Sequence, residues 1–245
     1  MDLTTVVGIG VMAALVSAGV LTGQLPVFFL NWHGMIIVLG GSAGALLLST
    51  PLPEIMEAIR SLGVVFRGRR VLPGPQIVTQ VTELAEGFRD RGSAALRAAD
   101  PDAVGGFLAR AAVLAAELND PDMVKTILES EINSVFDRRN EIVNVYRTLA
   151  VLAPMFGLLG TLIGIVSVLK DLSNPDSIGR AMGVAMTTAF YGIGMANVVC
   201  VPIAGKLRLR NMEELRARSL VCEGVVMMMR GSVPVVIRRR LSAEV

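Results

Sequence analysis

Apolar residues run almost without interruption through four stretches of the chain, 3–21, 34–48, 149–169 and 181–204, while the segment between the second and third and the stretch after the fourth mix apolar with charged positions. A helix rises 1.5 Å per residue, so about 20 apolar residues cross a hydrocarbon layer of ~30 Å. The first, third and fourth runs have that length. The second reaches it when Trp32, His33 and the residues up to Thr50 are included, which puts Trp32 at a membrane interface, where an indole finds apolar and polar neighbours together. No stretch alternates with period two. The pattern predicts an all-α integral membrane protein with four transmembrane helices, a helical insert between helices 2 and 3, and a C-terminal tail.

Within the insert the apolar positions recur at helical spacing, at Ile77, Val81, Leu84 and Phe88 and again at Val104, Leu108, Ala111 and Leu114. Asp100-Pro101 and Asp120-Pro121 each place a capping residue before a proline suited to the first helical position. A third insert helix is expected from Asp122 through Glu141, with Val124, Ile127, Leu128, Ile132 and Val135 on one side and a continuation into the third membrane run.

Charge sets the orientation. Of the 23 Lys and Arg, 12 fall in 51–147 and 9 from Lys206 onward, leaving Lys170 and Arg180. Basic residues are retained on the cytoplasmic side, so the insert and the tail are inside, both termini are cytoplasmic, and the short connections 22–31 and 170–180 are outside. The latter holds Ser173-Asn-Pro-Asp176, a turn composition. The implied divisions are 1–50 for transmembrane helices 1 and 2, 51–147 for the cytoplasmic helical domain, 148–205 for helices 3 and 4, and 206–245 for the tail. The chain starts Met1-Asp2 without a basic leader and its first run lacks a small-residue cleavage site, so that run is expected to be a retained helix.

Composition agrees with a membrane protein: 53% hydrophobic residues, 18% charged, and a mean hydropathy of +0.61 over 245 residues. A net charge of +2 gives no footprint for nucleic acid. Cys200 and Cys222 lack metal or redox spacing, and the single histidine, His33, reads as structural at a membrane edge. No nucleophile with a base, phosphate-cradling loop or metal cluster is visible, so neither enzymatic activity nor a bound cofactor is expected.

The membrane runs carry no Asp, Glu, Lys or Arg in their interiors. A chain that moves ions across a bilayer needs an ionisable group there, so a partner helix would have to supply it. Runs 3 and 4 carry hydroxyls instead. Thr161 lies 14 residues from Arg147, about 21 Å along a helix, and Thr187 and Thr188 lie 7 and 8 residues from Arg180, about 11 Å from the other side. All three thus fall at similar depth. They offer lone pairs to a partly dehydrated cation, or they bond between helices or to the carbonyls of the preceding turn; the spacing alone leaves both open. Gly40 and Gly44 in the second run, Gly157, Gly160 and Gly164 in the third, and Gly183, Gly192, Gly194 and Ala196 in the fourth permit close helix approach. Pro154 and Pro202 sit near the inner ends of runs 3 and 4, where paired bends would make a flexible collar or are simply tolerated.

The elements Ala153-Pro-Met-Phe-Gly-Leu-Leu-Gly-Thr-Leu-Ile-Gly164, Ala185-Met-Thr-Thr-Ala-Phe-Tyr-Gly192 and Val201-Pro-Ile-Ala-Gly-Lys-Leu207, together with Asn197, resemble the flagellar stator A subunit family, MotA/PomA. The resemblance extends over the whole chain and is shared more loosely with the TolQ/ExbB energy transducers, the alternative assignment. It implies a bacterial inner-membrane protein forming a homopentamer around two copies of a single-span, peptidoglycan-binding B subunit of MotB/PomB type, whose aspartate enters the channel. It implies that Thr161, Thr187 and Thr188 face that B helix, that Tyr191 lies one turn further in, and that Pro154 and Pro202 are the family's two prolines. Translocated H+ or Na+ is the only small species implied; Thr161 stands where the family's sodium users carry Thr and its proton users Ala, while protons are favoured as the commoner coupling ion. Arg89 corresponds to an arginine facing the flagellar rotor switch protein. Eight residues later, where the family carries a glutamate, stands Arg97, so that either the rotor surface is changed or Asp90, Asp100 or Asp102 takes the acidic role. Lipids are the remaining partner.

Overall fold

The computed structural model describes residues 3–22, 31–67, 72–170, 172–173 and 175–245. The connection expected at 22–31 lies outside them apart from its ends, as do Met1-Asp2 and Asn174 of the expected turn. Every regular element among the described residues is helical: α1 (Leu3–Leu21), α2 (Trp32–Ser49), α3 (Leu52–Arg67), α4 (Gly74–Arg91), α5 (Phe107–Glu117), α6 (Pro121–Lys170), α7 (Pro175–Gly194), α8 (Val201–Met229) and α9 (Pro234–Ser242), with short 3-10 turns at Gly92–Ala98 and Ala103–Gly106. Three are long and apolar enough to cross a membrane: α2, α6, and the helical run Ser177–Met229, in which a π-helical stretch, Met195–Cys200, joins α7 to α8. The chain divides into two compact units, Met1–Gly68 with Glu141–Arg208, and Arg69–Asn140 with Leu209–Val245.

In the first unit α2 begins where the Asn31 side chain accepts hydrogen bonds from the backbone N–H of His33 (3.0 Å) and Gly34 (3.3 Å), satisfying two donors that a helix start leaves free. Inside α2, Ile36–Gly40 is π-helical. Helix α3, additional to the helices expected in the insert, has Ile55, Ala58 and Leu62 on one side. Ala58 is buried against Val143, Tyr146 and Leu207, and its carbonyl accepts from the Tyr146 hydroxyl at 2.6 Å. A phenol with one apolar body and one satisfied hydroxyl is suited to such a seam.

The second unit is built on a core of Ile77, Leu96, Phe107, Leu108, Leu128 and Val221, all essentially without solvent exposure; full burial of each such side chain contributes about 1.5–3 kcal/mol. Helix α4 forms where the spacing places it. Asp120 caps α6 as expected, accepting from Asp122 and Met123 N–H at 2.9 and 3.3 Å, and α6 continues unbroken for 50 residues through the third membrane run. The helix expected from Pro101 starts only at Phe107. Val104, Gly105 and Gly106 hold φ of 51°, 65° and 81°, a left-handed run that no α-helix accommodates, and the Asp100 carboxylate turns back to Asp102 N–H at 2.9 Å. The segment after 206 is more than a charged tail, since Leu220, Val225 and Met228 of α8 and Ile237 and Leu241 of α9 enter the same core.

A charged cluster lies beside that core. Glu214 accepts from Arg218 Nη2 at 2.7 Å through one carboxylate oxygen and from Arg139 Nη1 through the other. Burial pushes the Glu214 carboxyl up, but hydrogen bonds and charge from Arg139 and Arg218 outweigh it and hold the group below its ordinary value. Nearby Cys222 is buried, and desolvation raises its thiol to about 11, so it is an inert apolar side chain there.

Candidate functional site

The site is a seam in the first unit where α6 and α7 meet backbone to backbone. Glycines make it possible. A Cβ on Gly160 would lie 2.6 Å from Thr188 Cβ, one on Gly164 would lie 2.8 Å from the Ala181 carbonyl oxygen, and one on Gly192 would lie 2.5 Å from the Ala153 carbonyl oxygen. Alternating small positions on both helices thus remove the atoms that would hold the two apart, as in membrane helix pairs generally. Gly34 of α2 completes the packing, its absent side chain leaving room for Thr187 Oγ1 and Thr188 Cγ2, which a Cβ would meet at 3.1 and 3.2 Å.

Thr187 and Thr188 are 2% and 0% exposed. The Thr187 hydroxyl donates to the Gly183 carbonyl at 2.8 Å, and the Thr188 hydroxyl to Val184 and Ala185 at 3.0 and 2.9 Å. Both hydroxyls therefore bond to the preceding turn of their own helix, and a threonine hydroxyl that donates in this way keeps its lone pairs for another donor or a cation. Thr161, next to Gly160 in α6, stands half-buried with its hydroxyl donating to Leu158 at 2.6 Å. It shares its helix with a broad apolar surface of Met155, Leu158, Leu162 and Val166, all exposed on this chain.

Tyr191 is half-buried, and its hydroxyl accepts from Asn31 N–H at 3.0 Å, which fastens the start of α2 to α7 one turn beyond Thr187. The seam therefore brings together Thr187, Thr188, Gly160 and Gly34, with Asn31 and Tyr191 adjoining. Asn31 was not singled out in the sequence; the signal for it was an N-capping residue type two positions before an apolar run. Pro154 lies inside unbroken α6, and Pro202 is the second residue of α8, two positions after the π-helical stretch Met195–Cys200. The missing proline N–H and the ring's bulk against the carbonyl four residues earlier are common causes of such a widened turn.

In the second unit Arg89 and Asp90 end α4, and Arg97 lies on the following 3-10 turn; all three are exposed. Among the described residues no group of three His, Cys, Asp or Glu is placed to hold a metal ion.

Long apolar helices, glycine-mediated packing and buried hydroxyls in place of charge define a helical membrane protein with a polar seam. The sequence profile of the MotA/TolQ/ExbB proton channel family matches residues 101–219. The chain is 32% identical to the chemotaxis protein PomA of Vibrio alginolyticus over 97% of its own length and 92% of that protein, and 30% identical to motility protein A of Treponema phagedenis over 98% and 93%. It belongs to the MotA/TolQ/ExbB proton channel family. Its fold is similar to that in the flagellar MotAB stator complex from Bacillus subtilis (26% identity, TM-score 0.86, covering 98% of this chain and 94% of that one) and in C. jejuni MotAB (23% identity, TM-score 0.88, covering 100% and 96%).

Proposed function

We propose that this chain is the A subunit of an ion-driven flagellar stator, forming a ring of five around two single-span B subunits and turning ion flow into torque on the rotor. The observation that carries the reading is similarity along nearly the whole chain to motility proteins, joined to membrane runs that contain hydroxyls and glycines but no carboxylate. A TolQ/ExbB-type transducer role is less well supported by these relatives. In this reading a partner carboxylate approaches the exposed side of α6, where half-buried Thr161 offers its oxygen to the passing ion. Thr187 and Thr188 polarise the seam behind it, and Tyr191 fixes the start of α2. Protons are the proposed coupling ion. Pro154 and Pro202 are the points at which motion in the membrane helices passes to the cytoplasmic part, and the half-buried groups act without a bound cofactor.

The same proposal includes α1 as a fourth span, an inner-membrane location, and residues 51–147 and 206–245 in the cytoplasm. Labelling of intact spheroplasts with a membrane-impermeant thiol reagent is expected to modify Ser173→Cys and to spare Gly92→Cys. The reverse pattern would exclude this topology.

Arg89, Asp90 and Arg97 are proposed to meet the rotor switch protein, because exposed charges at a helix end steer and orient a charged partner more than they stabilise their own fold. Deleting the gene is expected to abolish swimming. Arg89→Glu should reduce swimming severely while the protein stays in the membrane at wild-type level, and Arg97→Glu, which restores the acid the family carries there, should do little or even help with a foreign rotor. Loss of the protein from the membrane in Arg89→Glu would assign the residue to folding instead.

A further inference from the structure

Helix α3 carries two apolar stripes. Ile55, Ala58 and Leu62 are turned into the first unit, packed with Leu46 of α2, Val143 and Tyr146 of α6, and Leu207 of α8. Leu52, Met56 and Ile59 recur at the same helical spacing, yet they are 61%, 44% and 57% exposed. At ~100° per residue the second stripe is centred about 90° around the axis from the first. Glu54, Glu57 and Arg60 fall on the remaining side.

The partners of the first stripe fix the level at which α3 lies. They run from Ile142 to Leu152 on α6 and from Ile203 to Leu207 on α8, which brackets Arg147 and Lys206, the basic residues at the ends of the third and fourth apolar runs. Basic residues in such places stand at the headgroups of the cytoplasmic leaflet. The Tyr146 hydroxyl, bonded to the Ala58 carbonyl at 2.6 Å, fastens α3 there, and α3 begins directly after the Thr50-Pro51 connection that ends the second run. A helix with one face on protein, a second apolar and exposed, and a third charged satisfies all three when it lies in the plane of the interface. Arg60, Arg147 and Arg208 are exposed, and none is paired with a carboxylate among the described residues. Such cations favour anionic headgroups. We infer that α3 is an in-plane membrane anchor, with Leu52, Met56 and Ile59 among the acyl chains of the inner leaflet and Arg60 at the phosphate of an anionic phospholipid. The inference rests on the proposed topology, in which the apolar runs are spans and the insert is inside.

The test uses the purified full-length chain, with Cys200→Ala and Cys222→Ala, in nanodiscs of phosphatidylcholine and phosphatidylglycerol. A fluorophore is placed at single cysteines and quenched by lipids with a spin label near the headgroup or near the chain end. Labels at Met56→Cys and Ile59→Cys are expected to be quenched best from near the headgroup, because an interfacial helix lies only ~5–10 Å deep. Glu57→Cys should be quenched by neither. Leu39→Cys, ~15 Å along α2 from Ser49, should show the opposite depth preference. At Met56, spin-labelled phosphatidylglycerol should quench more than phosphatidylcholine, and Arg60→Gln should abolish that difference without changing Leu39. No quenching at Leu39 would overturn the spanning topology and this inference with it. Quenching at Leu39 with none at Met56 and Ile59 beyond that at Glu57 would overturn the anchor alone. A disulfide between copies through Met56→Cys would assign the stripe to a second copy instead, and equal quenching by the two lipids would overturn the anionic partner.

Discussion

Gly192→Ala is expected to remove most of the folded protein from the membrane, whereas Gly194→Ala, two residues away, should leave its level unchanged or slightly higher. The added methyl at Gly192 would stand 2.5 Å from the Ala153 carbonyl oxygen and 3.1 Å from the Cα atoms of Gly157 and Pro154. All three are backbone atoms of α6, so no side chain can rotate away and the two helices must separate. Overpacking of this kind costs ~1–3 kcal/mol at a single site, and here it also opens the seam that holds Thr188 against Gly160. Lipid offers apolar contact of equal quality, so no hydrophobic force restores the packing. At Gly194 a Cβ meets nothing within 4 Å, and alanine is a better helix former than glycine by ~1 kcal/mol. The check is Tm and membrane yield of both variants in detergent; equal values would show that α6 and α7 do not pack as described.

The second large effect is expected at Glu214. Glu214→Ala leaves Arg218, already buried, with no counterion, and breaking a buried pair from one side costs ~3–5 kcal/mol. The double variant Glu214→Leu with Arg218→Met removes both charges and should recover much of the loss. Acid acts on the same group. The folded carboxyl titrates below its ordinary value of 4.5, so its contribution is complete above that value and is lost as pH falls through the folded pKa. Wild type should therefore lose stability below about pH 4.5 more steeply than the double variant. Parallel acid profiles in the two would remove Glu214 from the account.

How far the sequence discloses this structure depends on the kind of signal. Long apolar runs and the caps at Asp120 and Pro121 mark α6 through its full length because burial in lipid and helix geometry both act locally. Helix α3 is legible too, with Ile55, Ala58 and Leu62 at helical spacing; what the sequence does not contain is that this face packs on Val143 and Leu207, far away in the chain. The late start of α5 reflects backbone conformation at Val104, which side-chain periodicity does not encode. The π-helical stretches at Ile36–Gly40 and Met195–Cys200 left no compositional trace apart from Pro202. Within the candidate site, the threonines and glycines were legible as polar and small positions in apolar runs. That Thr187 and Thr188 face α2 and α6 of their own chain, while Thr161 stands half-buried, required the pairing of helices, which one sequence does not contain.

This chain is expected to conduct ions only when a partner brings a carboxylate to the exposed side of α6 beside Thr161. The most direct test is ion uptake into proteoliposomes holding the chain together with a single-span B-type partner, measured with a pH-sensitive dye under an imposed potential and repeated with sodium. Uptake is expected to need both proteins, to be abolished by Asp→Asn in the partner's span, and to fall about fivefold in Thr161→Val, as for loss of one polar contact worth roughly 1 kcal/mol. Uptake by the chain alone, or no uptake of either ion by an intact complex of both proteins, would contradict this expectation.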